Sequence, residues 1–242
     1  MRRHLLALAA LVGCSEPATT PSPDGPETAV DAAAPDAYGG FGTLSGMCGI
    51  LQQMQLTGPT PELFTDTFTF QRAYMDPADR PLLTPGGRRL AETPNAGGSS
   101  GLSEIFAYEE LARCEQAALL KTETEIVYDT PGKITDLEVS VGGHKIGVSV
   151  VRAFAYPLGE PYTLALATPL IERKLRDIQA SSMNVSAADR WEKQILAVLA
   201  YDTQAADIVA QVWATADAAT KADTVVIVSV TEGEDLFIYT NQ

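Results

Sequence analysis

The residue types best suited to chemistry crowd into one stretch, Gly132–Ala153, which reads GKITDLEVSVGGHKIGVSVVRA. Asp136 and Glu138 carry hard carboxylate oxygens, the donors a small divalent cation such as Mg²⁺ takes alongside several retained waters. Ser149 adds a hydroxyl. It has no plausible base nearby in the sequence, and GVSVV lacks the sharp Gly-x-Ser-x-Gly elbow of a serine hydrolase. Asp136 has a second reading, in which it ends a turn and caps exposed strand backbone. His144 falls at a turn and reads as solvated. Trp191 and Trp213 read as packing residues. There is no P-loop, dinucleotide fingerprint or zinc motif.

These side chains need a hairpin to hold them, and the pattern predicts one. A two-residue Gly142-Gly143 loop sets Val141 opposite His144, Val139 opposite Ile146, Leu137 opposite Val148 and Thr135 opposite Val150, so one face is apolar. The other face pairs Asp136 with Ser149, Glu138 with Gly147 and Ser140 with Lys145. Slipping the register by one residue would move acids onto the apolar face, which period-two alternation penalises.

Around the hairpin, Ser103 opens a helix to about Lys121, and a strand is expected over Glu123–Tyr128. A helix should run from Pro169, a favoured first-turn residue, to Ala180. Gln194–Tyr201 reads as a strand, Thr203–Ala219 as a helix, and Thr224–Thr231 as a strand, with an edge strand at Leu236–Tyr239. Residues 44–102 read as an irregular extension of a core over 103–242. The fold class is α/β, a mixed sheet flanked by helices in the order αβββαβ.

That order, with Thr135-Asp136 opening the second strand, resembles the PD-(D/E)XK nuclease superfamily and its restriction-endonuclease-like core. The resemblance implies an aspartate on the second strand and an acid-x-lysine on the third, holding Mg²⁺ and activating water, often helped by a glutamate on the first helix. Asp136 matches the first acid and is the metal ligand this reading implies. Glu104 or Glu109 matches the helix glutamate. Ser149 stands at the second acid and Val151 at the lysine, a clear departure; Lys174 on the next helix is the substitute within reach. The string from Ser99 to Asp136 is also similar to secreted lipoproteins of like organisation.

The N-terminal MRRHLLALAALVGC combines Arg2 and Arg3 with a short apolar run, a secretory pattern far short of the ~20 residues that span a bilayer. Leu11-Val12-Gly13-Cys14 resembles a bacterial lipobox, which makes residues 1–13 a signal peptide and Cys14 the lipidated residue, anchored through acyl chains such as palmitate. Residues 14–43 are rich in Pro, Ala, Ser and Thr and read as a disordered tether; residues 44–242 form the domain. Ser15 lacks the aspartate of inner-membrane retention, so the expected place is the outer membrane, on its periplasmic or surface face. In that compartment Cys48 and Cys114 are expected to pair.

Charge limits the partners. Seventeen Lys and Arg face 31 Asp and Glu, a net charge of −14, so a nucleic-acid duplex is repelled by the average field. The densest basic run, Ile171–Asp177, reads as a solvated helix face with Glu172–Arg176 at i,i+4 spacing. The expected function is an envelope lipoprotein whose nuclease-like domain is non-catalytic, binds a protein or small molecule or organises the envelope, and takes no cofactor. The alternative is a divergent Mg²⁺-dependent nuclease or phosphodiesterase using Asp136.

Overall fold

The computed structural model describes residues 40–94 and 101–240. The signal peptide, Cys14 and all but the last few residues of the tether lie outside them. No described helix is long and apolar enough to cross a membrane.

Long β-branched runs with few polar breaks make strands buried on both faces, which is what a parallel sheet requires. Among the described residues, seven strands join one sheet: β1 (Thr43–Gly46), β2 (Glu62–Phe70), β3 (Ala118–Thr122), β4 (Leu137–Val141), β5 (His144–Ala153), β6 (Lys193–Ala200) and β7 (Val225–Gly233). Their spatial order is β1-β2-β7-β6-β5-β4-β3. β5, β6, β7 and β2 run parallel, while β3, β4 and β5 form an antiparallel meander. Helices α3 (Gly101–Cys114), α4 (Leu164–Asn184) and α5 (Thr203–Thr215) complete the core. From α3 to β6 the chain follows the αβββαβ order, and the fold is α/β as the sequence predicts.

The two faces have separate cores. Ala107, Tyr108 and Leu111 of α3 pack on Leu137, Val139, Ile146 and Val148. Ile171, Leu175, Ile208 and Val209 of α4 and α5 pack on Val151, Leu196, Val198 and Val228. A third cluster is aromatic, with the Phe106 ring 5.1–5.3 Å from Phe70, Tyr74 and Phe237.

Several expectations need correction. Residues 44–102 are not an irregular extension: β2 sits inside the sheet beside β7, and Phe68 and Phe70 are buried, as is Phe41 ahead of Leu44. Two short helices, α1 (Gln53–Thr57) and α2 (Pro85–Glu92), also fall there. Helix α3 stops at Cys114 because Gln116 takes a left-handed φ of 55° and the Ala117 N–H turns back to the Leu111 carbonyl. That stop moves the next strand forward, to Ala118–Thr122 rather than Glu123–Tyr128. Pro169 lies within α4, not at its start; the helix begins at Leu164, and Ala167 in its first turn is buried. The run expected as one helix to Ala219 divides into α5 and a four-residue α6 (Ala218–Lys221), capped by Asp217. Leu236–Tyr239 is helical, part of α7 (Leu236–Thr240), with Phe237, Ile238 and Tyr239 buried.

Cys48 and Cys114 are bonded, with Cα atoms 4.5 Å apart. The bridge ties the segment after β1 to the end of α3.

Candidate functional site

The β4–β5 ladder has the register read from the sequence, from Val141 opposite His144 to Leu137 opposite Val148, including Glu138 opposite Gly147 and Ser140 opposite Lys145. The expected Thr135–Val150 and Asp136–Ser149 pairs lie beyond its end. There the Asp136 carboxylate accepts from the Val150 N–H at 2.6 Å, and the Asp136 N–H donates to the Val148 carbonyl at 3.1 Å. A side chain takes over the work of the next rung. Lys174, reaching in from α4, donates to the Val150 carbonyl at 3.1 Å. Burial pushes the Asp136 carboxyl above its ordinary range; the Lys174 charge and the Val150 hydrogen bond pull the other way.

Asp136 and Lys174 therefore do come together, with Val150 between them. Ser149 lies next to them, but its hydroxyl is buried and shares a 3.0 Å hydrogen bond with the Thr135 hydroxyl, which is no general base. Val151 points into the α4–α5 core. Arg152 donates to the Ile238 carbonyl at 2.9 Å, on α7.

The helix glutamates have other tasks. Glu109 accepts from the Thr84 N–H at 2.9 Å and the Thr84 hydroxyl at 2.6 Å, and Thr84 in turn caps α2. Gly87 leaves room for that contact, since a Cβ there would lie 2.0 Å from Glu109 Oε1. Glu104 is buried in the first turn of α3 and lines a cavity of about 710 Å³ with Glu123, Tyr74, Leu90 and Ile105. The Glu123 charge adds to the burial that pushes the Asp136 carboxyl up.

Mg²⁺ wants an octahedron of oxygens with at least one or two carboxylates. Of the hairpin's two carboxylates, Asp136 is already hydrogen-bonded beside the Lys174 ammonium group and Glu138 is paired with Lys145, so its donors do not fit that ion. Among the described residues no group of three His, Cys, Asp or Glu side chains could hold a metal.

Sequence reasoning missed the most heavily used carboxylates. Glu115 accepts from three successive backbone N–H groups, of Gly49, Ile50 and Leu51, at 2.9, 3.2 and 2.9 Å. Asp66 accepts from the Met47 N–H, and Glu110 from the Ser229 hydroxyl. Burial raises all three carboxyls, Glu110 the most, and the neighbouring Asp66 charge raises Glu110 further. The signal was weak: α3 shows no clean apolar stripe, yet every residue from Ser103 to Cys114 is buried, its acids included. Glu138 is also buried, 3.1 Å from Lys145 Nζ. In the basic run, Glu172 and Arg176 form the expected surface pair at 3.3 Å, while Lys174 turns inward.

No protein-family model matches the chain. A Dictyostelium discoideum protein described as "AAC-rich mRNA clone AAC4 protein" is 41% identical over 175 residues, 69% of this chain. The chain spans 25% of that relative's length, and the relative's name states no activity. The solved structure of Pyrococcus furiosus SfsA in complex with Ca²⁺ is similar at 11% identity with a TM-score of 0.30, covering 57% of this chain and 69% of that one. A likeness of that size carries no argument about the site.

Proposed function

We propose that this chain is a non-catalytic binding domain on a nuclease-like α/β scaffold, held at the cell envelope by a lipid on Cys14. One observation carries the non-catalytic part: Asp136 of the hairpin and Lys174 of α4, the two groups there able to serve hydrolysis, are both spent on the backbone of Val150. Ser149 and Val151 stand where the nuclease pattern needs an acid and a lysine, which supports the same reading. Capacity to bind comes from the cavity beside Glu104 and Glu123, whose 710 Å³ lies within the range of small-molecule sites. The Leu11–Cys14 tetrad and the Pro- and Ala-rich segment after it support the anchor and an outer-membrane location.

The test is cleavage of single- and double-stranded DNA and RNA by the full chain with Mg²⁺ or Mn²⁺, alongside Asp136→Asn. No cleavage by either folded protein is expected. Metal-dependent cleavage lost in the variant would establish the alternative, a divergent Mg²⁺-dependent phosphodiesterase. The anchor is tested separately, by incorporation of an alkyne-tagged palmitate that Cys14→Ala should abolish.

A further inference from the structure

The N-terminal segment joins the domain at one end of the sheet, and its entry point is fixed there. Arg113 donates to the Phe41 and Gly42 carbonyls at 3.0 and 2.9 Å. β1 then begins at Thr43, paired with Thr69 near the carboxyl end of β2. β2, β7, β6 and β5 run parallel, so the loops that follow all four lie at this same end. Aromatic contacts join them. Phe41 lies 5.2 Å from Tyr74, after β2, and 6.3 Å from Phe237 on α7, after β7. Tyr239 on α7 lies 5.2 Å from Phe154, after β5, and 5.1 Å from Tyr201, after β6.

The loop after β5 is unlike the rest of the surface. Between Arg152 and Glu172, Glu160 is the one charged residue, in a protein with 20% charged residues. Its apolar side chains are nonetheless turned outward. Tyr156 is 87% exposed, Leu164 46% and Leu166 51%, and Leu236 on α7 is 49% exposed. Packing of α4 does not explain leucine at 164 and 166, because Ala167, Ile171 and Leu175 supply its buried face. Isolated exposed leucines are ordinary, but a charge-poor cluster around an exposed tyrosine marks a surface that meets something apolar.

The place where the chain enters says what that is. A lipid on Cys14 puts a bilayer at the far end of residues 15–39, whose near end is this end of the sheet. A link of that length holds the domain at roughly millimolar effective concentration over the surface, so a patch too weak to bind from solution is engaged. Leucines and the amphipathic tyrosine ring suit the boundary between headgroups and acyl chains. The exposed acids Glu160, Asp202 and Glu234 at this end disfavour anionic lipid and suit neutral, zwitterionic headgroups.

We propose that Tyr156, Leu164 and Leu166 form a membrane-contacting edge that seats the carboxyl end of the parallel strands on a zwitterionic bilayer. This seating rests on the lipid anchor at Cys14 and is independent of the cavity beside Glu104.

The experiment supplies the anchor chemically, so its outcome does not depend on whether Cys14 is acylated in the cell, which the palmitate test decides. The full chain is coupled through Cys14, the one cysteine outside the Cys48–Cys114 bridge, to a maleimide lipid in phosphatidylcholine vesicles. Amide hydrogen exchange is then compared with that of the same chain capped at Cys14 in solution. Amides of residues 156–166 should exchange about fivefold more slowly on vesicles, while those of 183–192, at the opposite end of the sheet, keep their rates. Tyr156→Ser, Leu164→Ser and Leu166→Ser together should remove the slowing; all three side chains are exposed, and unchanged exchange in β6 checks that the fold is kept. No slowing at 156–166, equal slowing at both ends, or slowing that survives in the triple variant would overturn the proposal. So would the same slowing in the capped chain at high concentration without vesicles, which would assign the patch to a second copy.

Discussion

Two groups of carboxylates use the same chemistry at opposite ends of a scale. Under residues 47–51, Asp66, Glu110 and Glu115 are buried and take four backbone N–H groups and a hydroxyl, beside the Cys48–Cys114 bridge. At the hairpin, half-buried Asp136 takes a single N–H, with Lys174 on the other polar group of the same residue. The first group secures a segment that has no ladder partner of its own. The second replaces one missing rung. In both, acids accept from backbone N–H groups that lack a ladder partner.

The largest test of this contrast removes the bridge. Cys48→Ser with Cys114→Ser opens a loop of 66 residues' separation and should cost about 4 kcal/mol by the chain-entropy relation, read from urea unfolding. Next, Glu115→Ala orphans three N–H groups, that of Leu51 buried and those of Gly49 and Ile50 part-buried, and should cost ~3 kcal/mol. Asp136→Ala orphans one and should cost ~1–2 kcal/mol; a loss equal to that of Glu115→Ala would erase the distinction between the groups.

The smallest effect is that of Glu110→Gln, below ~1 kcal/mol, because burial disfavours the charged carboxylate and an uncharged amide of the same shape carries no such penalty. The variant's signature is its pH profile. Burial raises Asp66, Glu110 and Glu115 in the folded state. Their contribution is therefore present at low pH and lost as pH rises through their folded values. Asp76, held low by Arg80, behaves oppositely and loses its contribution below its unfolded value of 3.8. Unfolding free energy should rise as pH falls from the alkaline side towards the ordinary carboxylate values of about 4, then fall below them. Glu110→Gln should flatten the rise.

Local pattern carried the sequence reading a long way where contacts are local. The Gly142-Gly143 loop and period-two alternation gave the hairpin register pair by pair. Alternation of Asp66, Phe68 and Phe70 was equally available, yet flanking Pro and Thr disguised β2, whose place in the sheet depends on β7 far along the chain. Leu236–Tyr239 is too short for periodicity to separate strand from helix. Asp136 as a cap was legible as one of two readings. The partners of Glu115 were not, because its acceptor role is defined by residues 64–66 positions away.

The most direct test of the central claim, that Asp136 serves the backbone of β5, is hydrogen exchange at the Val150 amide in the wild type and Asp136→Ala. The account predicts that protection of this amide falls about tenfold or more in the variant, while amides in the middle of β6 fall only by the global loss of stability. Protection unchanged at Val150 beyond that global loss would contradict it and return Asp136 to the list of groups free to do chemistry.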